Sequence, residues 1–291
     1  MSQKPLIRRL SERTLDLLIG VKGANTSVEF MAGGRKFKVL VPDDSLWGVV
    51  TDILLLGSYE RGGIKLANFR GTVVDAGAHA GVFALVASAH ARTVYALEPH
   101  PGNCELLARN VEANGANNVT VMEKALWSNS SPVAMSEGSN SMAPFISEEG
   151  NLKAEAVTLA DLAGGRDIDL LKLDIEGAEA SVLSSARDED LLRIGAIVIE
   201  VHGQHDPFAA DRIRNRLTRL GFSVDEMPPA FLTWRDSMRK LRLSRRHVRH
   251  QKRLKAAVAL AITGAALLGP FGGLRKKLNA EDLSFIYARR R

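Results

Sequence analysis

Two short apolar segments, about a hundred residues apart, constrain this chain most. Thr72 to Gly81 reads Thr-Val-Val-Asp-Ala-Gly-Ala-His-Ala-Gly, and Leu170 to Glu179 reads Leu-Leu-Lys-Leu-Asp-Ile-Glu-Gly-Ala-Glu. In each, an apolar run stops abruptly at acidic and glycine residues. Near-continuous apolar runs of this length fit parallel strands buried on both faces. Two such strands would deliver their acidic and glycine-rich tips to one edge of a sheet. In an open α/β sheet that edge is where ligands bind.

The rest of the chain supports the same architecture. Strand-like 72–75 precedes a helical stretch at 82–90, strand-like 93–98 precedes a helix at 103–113, and 119–122 forms a third strand. Residues 170–174, a helix from about Ala178, a strand at 196–201, a helix at 207–220 and a strand at 222–225 continue the series. Alternating βα units predict a parallel sheet with helices on both faces. Before them, 28–31 and 36–41 flank Ala32-Gly33-Gly34-Arg35, a hairpin whose glycines supply the positive φ of a tight turn. A helix is expected at 46–56, ending near Gly57. The Ser-, Asn-, Gly- and Glu-rich stretch 128–155 reads as a loop or hairpin.

Asp75-x-Gly77-x-x-x-Gly81 sits between a strand and a helix. Its glycines let the backbone approach a ligand closely, and the helix start offers free N–H groups. Glu98 ends the next strand roughly twenty residues later, where an acid accepts hydrogen bonds from ribose hydroxyls. The turn, with Ala80 inside it, does not share the Gly-x-Gly-x-x-Gly spacing of a dinucleotide site. An ordinary glycine turn and a nicotinamide site are the competing readings.

From about residue 52 to 201 these segments resemble the FkbM family of SAM-dependent methyltransferases. Gly57-Ser58-Tyr59-Glu60 is similar to a family element near the SAM site. Glu98-Pro99-His100-Pro101-Gly102-Asn103 resembles the segment after the ribose, and Glu123-Lys124-Ala125-Leu126 the stretch that lines adenine. Lys172 to Glu179 matches the family signature, and Glu200-Val201-His202 ends the next strand as in the family. One departure is His79, where the family commonly has Asn; a larger one is the C-terminal region.

The resemblance implies an α/β, Rossmann-like class I methyltransferase fold, with a mostly parallel sheet and helices on both faces. Read from its own residues, the chain has an N-terminal α/β lead (1–70) before the SAM-binding core (71–229). A basic and apolar helical insertion (230–280) and a last core strand and tail (281–291) follow. The resemblance implies S-adenosyl-L-methionine as cofactor, held by Glu60, Asp75, Gly77, His79, Gly81, Glu98 and Ala125, with Asp75 near the aminoacyl part.

Methyl transfer from a sulfonium is an in-line displacement, accelerated largely by positioning. A hydroxyl acceptor must also lose its proton, to a base or a metal. The strand tips offer Asp174, Glu176, Glu200 and His202. We take Asp174, Glu176 and His202 as the catalytic set, with His202 suited to act as a base near neutral pH. A divalent cation on Asp174, Glu200 and His202 is a competing reading that is not favoured; structural ion pairing is another. Lys172 is expected to neutralise a neighbouring carboxylate, and His79 and His100 to be wall residues. The tip at 173–177 lacks the proline and aromatic of an Asn/Asp-Pro-Pro-Tyr-like amino-methylating tip. The resemblance therefore favours O-methylation of a hydroxyl on a lipid-linked, glycan or secondary-metabolite acceptor. RNA methylation and a non-catalytic membrane scaffold are the alternatives.

Charge is distributed unevenly. The net charge is +6, yet residues 235–255 alone carry ten basic residues and one acid, Asp236, which leaves the remaining chain near −3. Residues 256–274 then contain no charge and are followed by Arg275-Lys276-Lys277. That run approaches the length of a bilayer span. Against a single crossing, strand-like 283–288 should return to the sheet beside the fifth strand, and Gly264, Gly269, Pro270, Gly272 and Gly273 favour a broken shape. We expect 230–280 to lie on, or dip into, a cytoplasmic membrane face, with 235–277 meeting anionic headgroups. A protein or oligomer interface, or nucleic-acid phosphates, are the other occupants weighed. The apolar residues of 1–20 are interrupted by Arg8, Arg9, Glu12, Arg13 and Asp16, which fits an amphipathic helix and not a signal peptide. One cysteine, Cys104, excludes an intramolecular disulfide and a cysteine-based zinc site.

Overall fold

The computed structural model describes residues 25–43, 45–136, 145–146, 150–203, 206–229 and 283–290. The expected N-terminal helix and the basic and apolar stretch of 230–280 lie outside these residues. The described chain opens with an antiparallel hairpin, β1 (Asn25–Ala32) and β2 (Arg35–Pro42). Helix α1 (Leu46–Val49) continues as a π-helical segment, Val50–Leu55, and 3-10 turns follow at Ser58–Glu60 and Leu66–Asn68. The next units are β3 (Thr72–Ala76), α2 (Val82–Ser88), β4 (Thr93–Leu97), α3 (Pro101–Ala113) and β5 (Val119–Met122). Short strands β6 (Ala125–Leu126), β7 (Val133–Ser136), β8 (Phe145–Ile146), β9 (Leu152–Ala154) and β10 (Ala156–Val157) lead to α4 (Leu159–Ala163) and β11 (Ile168–Leu173). Helices α5 (Glu179–Ser185) and α6 (Asp188–Leu191), then β12 (Ile194–His202), α7 (Ala209–Arg219), β13 (Phe222–Met227) and β14 (Leu283–Arg290) complete the order.

The central sheet has seven strands in the order β13-β14-β12-β11-β3-β4-β5. The five from β12 to β5 are parallel, and β14 runs antiparallel between β12 and β13. The last strand thus lies where the sequence placed it, beside the fifth parallel strand of the core.

The strand period of two divides the apolar residues between the two faces. Val73, Leu170, Ala196, Val198, Phe285 and Tyr287 pack with Phe83 and Val86 of α2. Their neighbours Val74, Leu171, Ile197, Ile199 and Ile286 pack on the other face with Leu162, Val182, Leu183 and Leu217. Burial on both faces explains why β3, β11 and β12 read as continuous apolar runs.

Strands β4 and β5 extend the sheet on one side of β3, and β11 and β12 on the other. The direction of sheet growth therefore reverses between β3 and β11, and a crevice opens at their carboxyl ends. That switch point brings the two opening sequence segments together: Lys172 pairs in register with Asp75, and Leu173 with Ala76.

Two side chains of α3 dock the hairpin. Asn110 donates from Nδ2 to the Leu40 and Ala80 carbonyls and accepts from Leu40 N–H; one turn later Asn114 does the same with Lys38. These bonds occupy polar groups that the edge strand β2 would otherwise leave unpaired, and they fix the loop at Ala80. In the 128–155 stretch, β7 pairs antiparallel with both β8 and β9, and on its two flanks β6 pairs parallel with β10. A small apolar cluster of Val133, Met135, Ala154 and Ala156 holds this region, scattered among the polar residues that gave it a loop-like composition. Among the described residues, no helix is long and apolar enough to cross a membrane.

Candidate active site

β3 ends in a turn dictated by backbone geometry. Gly77 has φ +78°, and a Cβ there would lie 1.7 Å from the Asp174 carbonyl oxygen. The two strand tips therefore abut, and only glycine fits between them. The N–H groups of Gly77 and Ala78 donate to the Leu97 carbonyl at 3.0 and 2.9 Å, tying the turn to β4. His79 also has a positive φ, 49°, and its N–H donates to Glu98 Oε2 at 2.8 Å. Glu98 Oε1 accepts from His100 N–H at 3.0 Å. Burial pushes the Glu98 carboxyl up to about 7, against the pull of those donors. The Asn103 side chain bonds to Glu98 as well, and a carboxylate has about four acceptor sites, so capacity is left for a hydroxyl donor.

On the α2 face of the sheet, alternation turns from apolar to ionic at the strand ends. Asp75 and Lys172 stand opposite each other, Asp174 lies two residues beyond Lys172, and Glu200 and His202 continue the face from Val198. Lys172 Nζ is 3.0 Å from Asp75 Oδ1 and 3.4 Å from Asp174 Oδ2, and it donates to the Gly77 carbonyl at 3.0 Å. Burial opposes the ammonium, but Asp75 and Asp174 outweigh it and hold Lys172 protonated. Burial pushes the Asp75 carboxyl up against that ammonium; with the lysine held charged at 3.0 Å, the pair is ionic. Lys172 thus neutralises a carboxylate, as its place in the strand suggests.

Tyr59 reaches the same corner from the 3-10 turn before β3. Its hydroxyl lies 2.7 Å from both Asp174 Oδ2 and Glu200 Oε2. A phenol carries one proton, so two short contacts to carboxylates require a second proton on one of them. Burial and the Asp174 charge hold Glu200 well above the usual carboxylate range. Burial acts on Asp174 too, but Lys172 and His202 bring it below its ordinary value. The consistent assignment has Glu200 protonated and donating to Tyr59, and Tyr59 donating to an ionised Asp174. The ring is held edge-on by Phe83 at 5.5 Å and Phe285 at 5.6 Å, and Tyr287 Oη donates to the Ser58 carbonyl at 2.5 Å. Strand β14 therefore supports the turn that carries Tyr59.

His202 is 8% exposed. Its Nδ1 lies 2.9 Å from Glu179 Oε1, an oxygen that also accepts the Ile175 and Gly177 N–H groups at 3.1 Å. Its Nε2 faces Glu176 Oε2 at 3.6 Å and Asp174 Oδ1 at 4.0 Å. Burial works against the imidazolium, but Glu179 and Glu176 outweigh it and raise the His202 pKa well above its usual value. This differs from the expected neutral-pH base, because two carboxylates flank the ring. Glu176 itself sits at φ 52°, and burial pushes its carboxyl up to about 7.

These groups surround an open cleft. Of the residues singled out in the sequence, Gly77, His79, Glu98, Ala125, Asp174 and Glu176 line it. Asp75, Gly81, Glu60 and His202 lie behind the wall. Asp75 is fully buried against Lys172, and Gly81 starts α2 where a Cβ would strike Leu107. Glu60 accepts the Leu66 N–H and so holds its own loop. Tyr59, Lys172 and Glu200 line it as well, and so does Asp52, to which no role was attached in the sequence. Asp52 accepts from Ser58 Oγ at 3.1 Å, and burial raises its carboxyl to about 6.

A seven-stranded sheet with an antiparallel insertion at β14 and ligand-facing tips at its switch point defines a Rossmann-like class I methyltransferase. Residues 75–224 match the methyltransferase FkbM domain. The chain belongs to that family and is a SAM-dependent methyltransferase. It is 24% identical over 181 residues to Methyltransferase 1 of Beauveria bassiana (strain ARSEF 2860), covering 52% of this chain and 72% of that protein. Among solved structures it is similar to the methyltransferase FkbM of Methylobacillus flagellatus KT, with a TM-score of 0.43 and 18% identity over 62% of this chain and 50% of that one. It is also similar to the 16S rRNA N2 G1207 methyltransferase of T. thermophilus, with a TM-score of 0.44 and 11% identity over 94% of this chain and 52% of that one. The cleft suits SAM: the turn at Gly77, Ala78 and His79 lines it, and Glu98 beside that turn has acceptor capacity for hydroxyls.

Proposed function

We propose that this methyltransferase transfers a methyl group to a hydroxyl oxygen. The observation that carries the reading is the Tyr59 hydroxyl bridging Asp174 and Glu200 at the edge of the cleft. SAM, when bound, supplies a methyl group made electrophilic by a positive sulfonium. Gly77, His79, Glu98 and Ala125 would hold it, with Glu98 accepting from the ribose hydroxyls. Asp75 and Gly81 act from behind the wall by fixing Lys172 and the start of α2. On the other side, Asp174 is locked by Tyr59 and Lys172 and presents a fixed negative group to an acceptor hydroxyl. Positioning of this kind accounts for much of the rate in displacement chemistry. The aromatic rings that line the cleft among the described residues, Tyr59 and Phe83, are packed edge-to-face in the core. They offer no free face for stacking a nucleobase, and this favours a hydroxyl acceptor over a base.

In this reading the acceptor is a lipid-linked, glycan or secondary-metabolite hydroxyl. The protein would meet it at a cytoplasmic membrane face through the basic and apolar residues of 235–277. The support for that location is the sequence alone: ten basic residues within 235–255, followed by an uncharged run. The test is incubation of full-length protein with methyl-labelled SAM and separate lipid, glycan, RNA and small-molecule fractions. Label in the lipid or glycan fraction, stable to conditions that cleave esters, is expected. Label in RNA alone would overturn the reading. Asp174→Asn should reduce turnover far more than SAM affinity.

A further inference from the structure

We propose that Asp174 Oδ1, Glu176 Oε2 and His202 Nε2 form a binding site for one divalent first-row transition ion, open towards the cleft. This deepens the hydroxyl-methylation reading and rests on it. Three observations carry it. First, the three ligand atoms lie within 4.8 Å of one another. Nε2 is 3.6 Å from the glutamate oxygen and 4.0 Å from the aspartate oxygen, too long for hydrogen bonds. Two atoms each about 2.1 Å from a shared ion lie at most about 4.2 Å apart, so both spacings fall within that reach.

Second, His202 is more than nine-tenths buried, and its Nε2 has no hydrogen-bond partner among the described residues. The other ring nitrogen is taken: Nδ1 is 2.9 Å from Glu179, whose own oxygen is anchored by two backbone N–H groups. An ion would displace the Nε2 proton of the ring, and the Glu179 carboxylate behind it keeps the other proton on Nδ1, so that Nε2 turns its lone pair to the ion. This is the usual arrangement behind a metal-bound histidine. Third, Asp174 turns its other oxygen, Oδ2, to Tyr59 and Lys172. Oδ1 is therefore left for the ion, while Tyr59 and Lys172 hold the carboxylate in place.

The sequence suggested a different third ligand, Glu200. That residue is engaged with Tyr59, and Glu176 from the loop after β11 faces the imidazole in its place. One imidazole with two carboxylates suits manganese, iron or zinc better than magnesium or calcium. Asp174 and Glu176 line the cleft and His202 lies behind them, so the ion's remaining positions face the acceptor. An acceptor hydroxyl taking one of them becomes more acidic, as water does on such ions. Its oxygen–methyl bond then forms as the methyl–sulfur bond breaks. Sulfur keeps the bonding pair, and the hydroxyl proton passes to solvent.

The test uses full-length protein stripped with a chelator and titrated with MnCl₂, with free Mn²⁺ followed by electron paramagnetic resonance and SAM binding measured in the same samples. One ion per chain is expected in the wild type. His202→Ala and Glu176→Gln should each bind it about tenfold or more weakly, with SAM affinity retained as evidence of folding. No uptake at millimolar Mn²⁺, with SAM bound normally, would overturn the cation site and leave the methyltransferase reading standing. One ion bound equally well by wild type and both variants would also overturn it.

Discussion

The two sides of the cleft are built by opposite means. On the β3–β4 side the backbone sets the shape: a glycine that admits no Cβ, a turn tied to the Leu97 carbonyl, and one carboxylate held by two main-chain donors. On the β11–β12 side, side-chain charge sets it. Lys172 stands between two aspartates, Tyr59 bridges Asp174 and Glu200, and His202 is enclosed by Glu176 and Glu179. The first arrangement governs shape, and tolerates little change of volume. The second governs protonation, and tolerates isosteres structurally while losing its chemistry.

The largest effect should come from Gly77→Ala. The added carbon meets a backbone oxygen at 1.7 Å, and the φ of +78° is strained for alanine. Destabilisation of about 3 kcal/mol or more is expected in urea unfolding. A smaller loss would mean that the strand tips separate easily and that shape is not what governs this side.

Tyr59→Phe comes next. It keeps the ring packing and removes the bridging hydroxyl, so turnover should fall by about a hundredfold, while urea unfolding changes by only about 1–2 kcal/mol. Unchanged turnover in a labelled-methyl assay would remove Tyr59 from the chemistry.

The two sides should also separate by pH. A folded pKa above the unfolded value gives stability that is present below the unfolded pKa and lost as pH rises through the folded one. Glu98, raised from 4.5 to about 7, loses its contribution across that window. His202 loses its own contribution above 6.5, as pH rises through its elevated value. Unfolding free energy should therefore decline as pH rises from about 4.5 through about 7, and decline further as His202 loses its proton at higher pH. Glu98→Gln should flatten the lower part of the decline and His202→Gln the upper part. The smallest effect is expected at His79→Asn. Asparagine tolerates the positive φ well, so stability should stay within about 0.5 kcal/mol of wild type in the same unfolding assay.

The backbone-built side was legible because it is local: strand, glycine turn, helix and terminal acid follow one another within 72–98. Asp174 was legible for the same reason, at the end of an apolar run. The pairing of Asp75 with Lys172 was not, because it depends on β11 lying next to β3 in a particular register. The place of Tyr59 depends on contacts with β14, whose Tyr287 bonds to Ser58 across 229 positions of sequence. Local periodicity carries no trace of such a contact. His202 was identified correctly as a strand-tip residue, but its protonation is decided by Glu176 and Glu179 from another loop and helix. The 128–155 stretch read only as a loop or hairpin, because the few apolar residues of its antiparallel strands are spread among polar ones.

The division of the cleft into a binding side and a reacting side is tested most directly by calorimetric titration of SAM into wild type, Glu98→Ala and Tyr59→Phe. The account predicts that Glu98→Ala weakens SAM by about tenfold or more, while Tyr59→Phe stays within about threefold of wild type. Unchanged affinity in Glu98→Ala, or the larger loss in Tyr59→Phe, would contradict it.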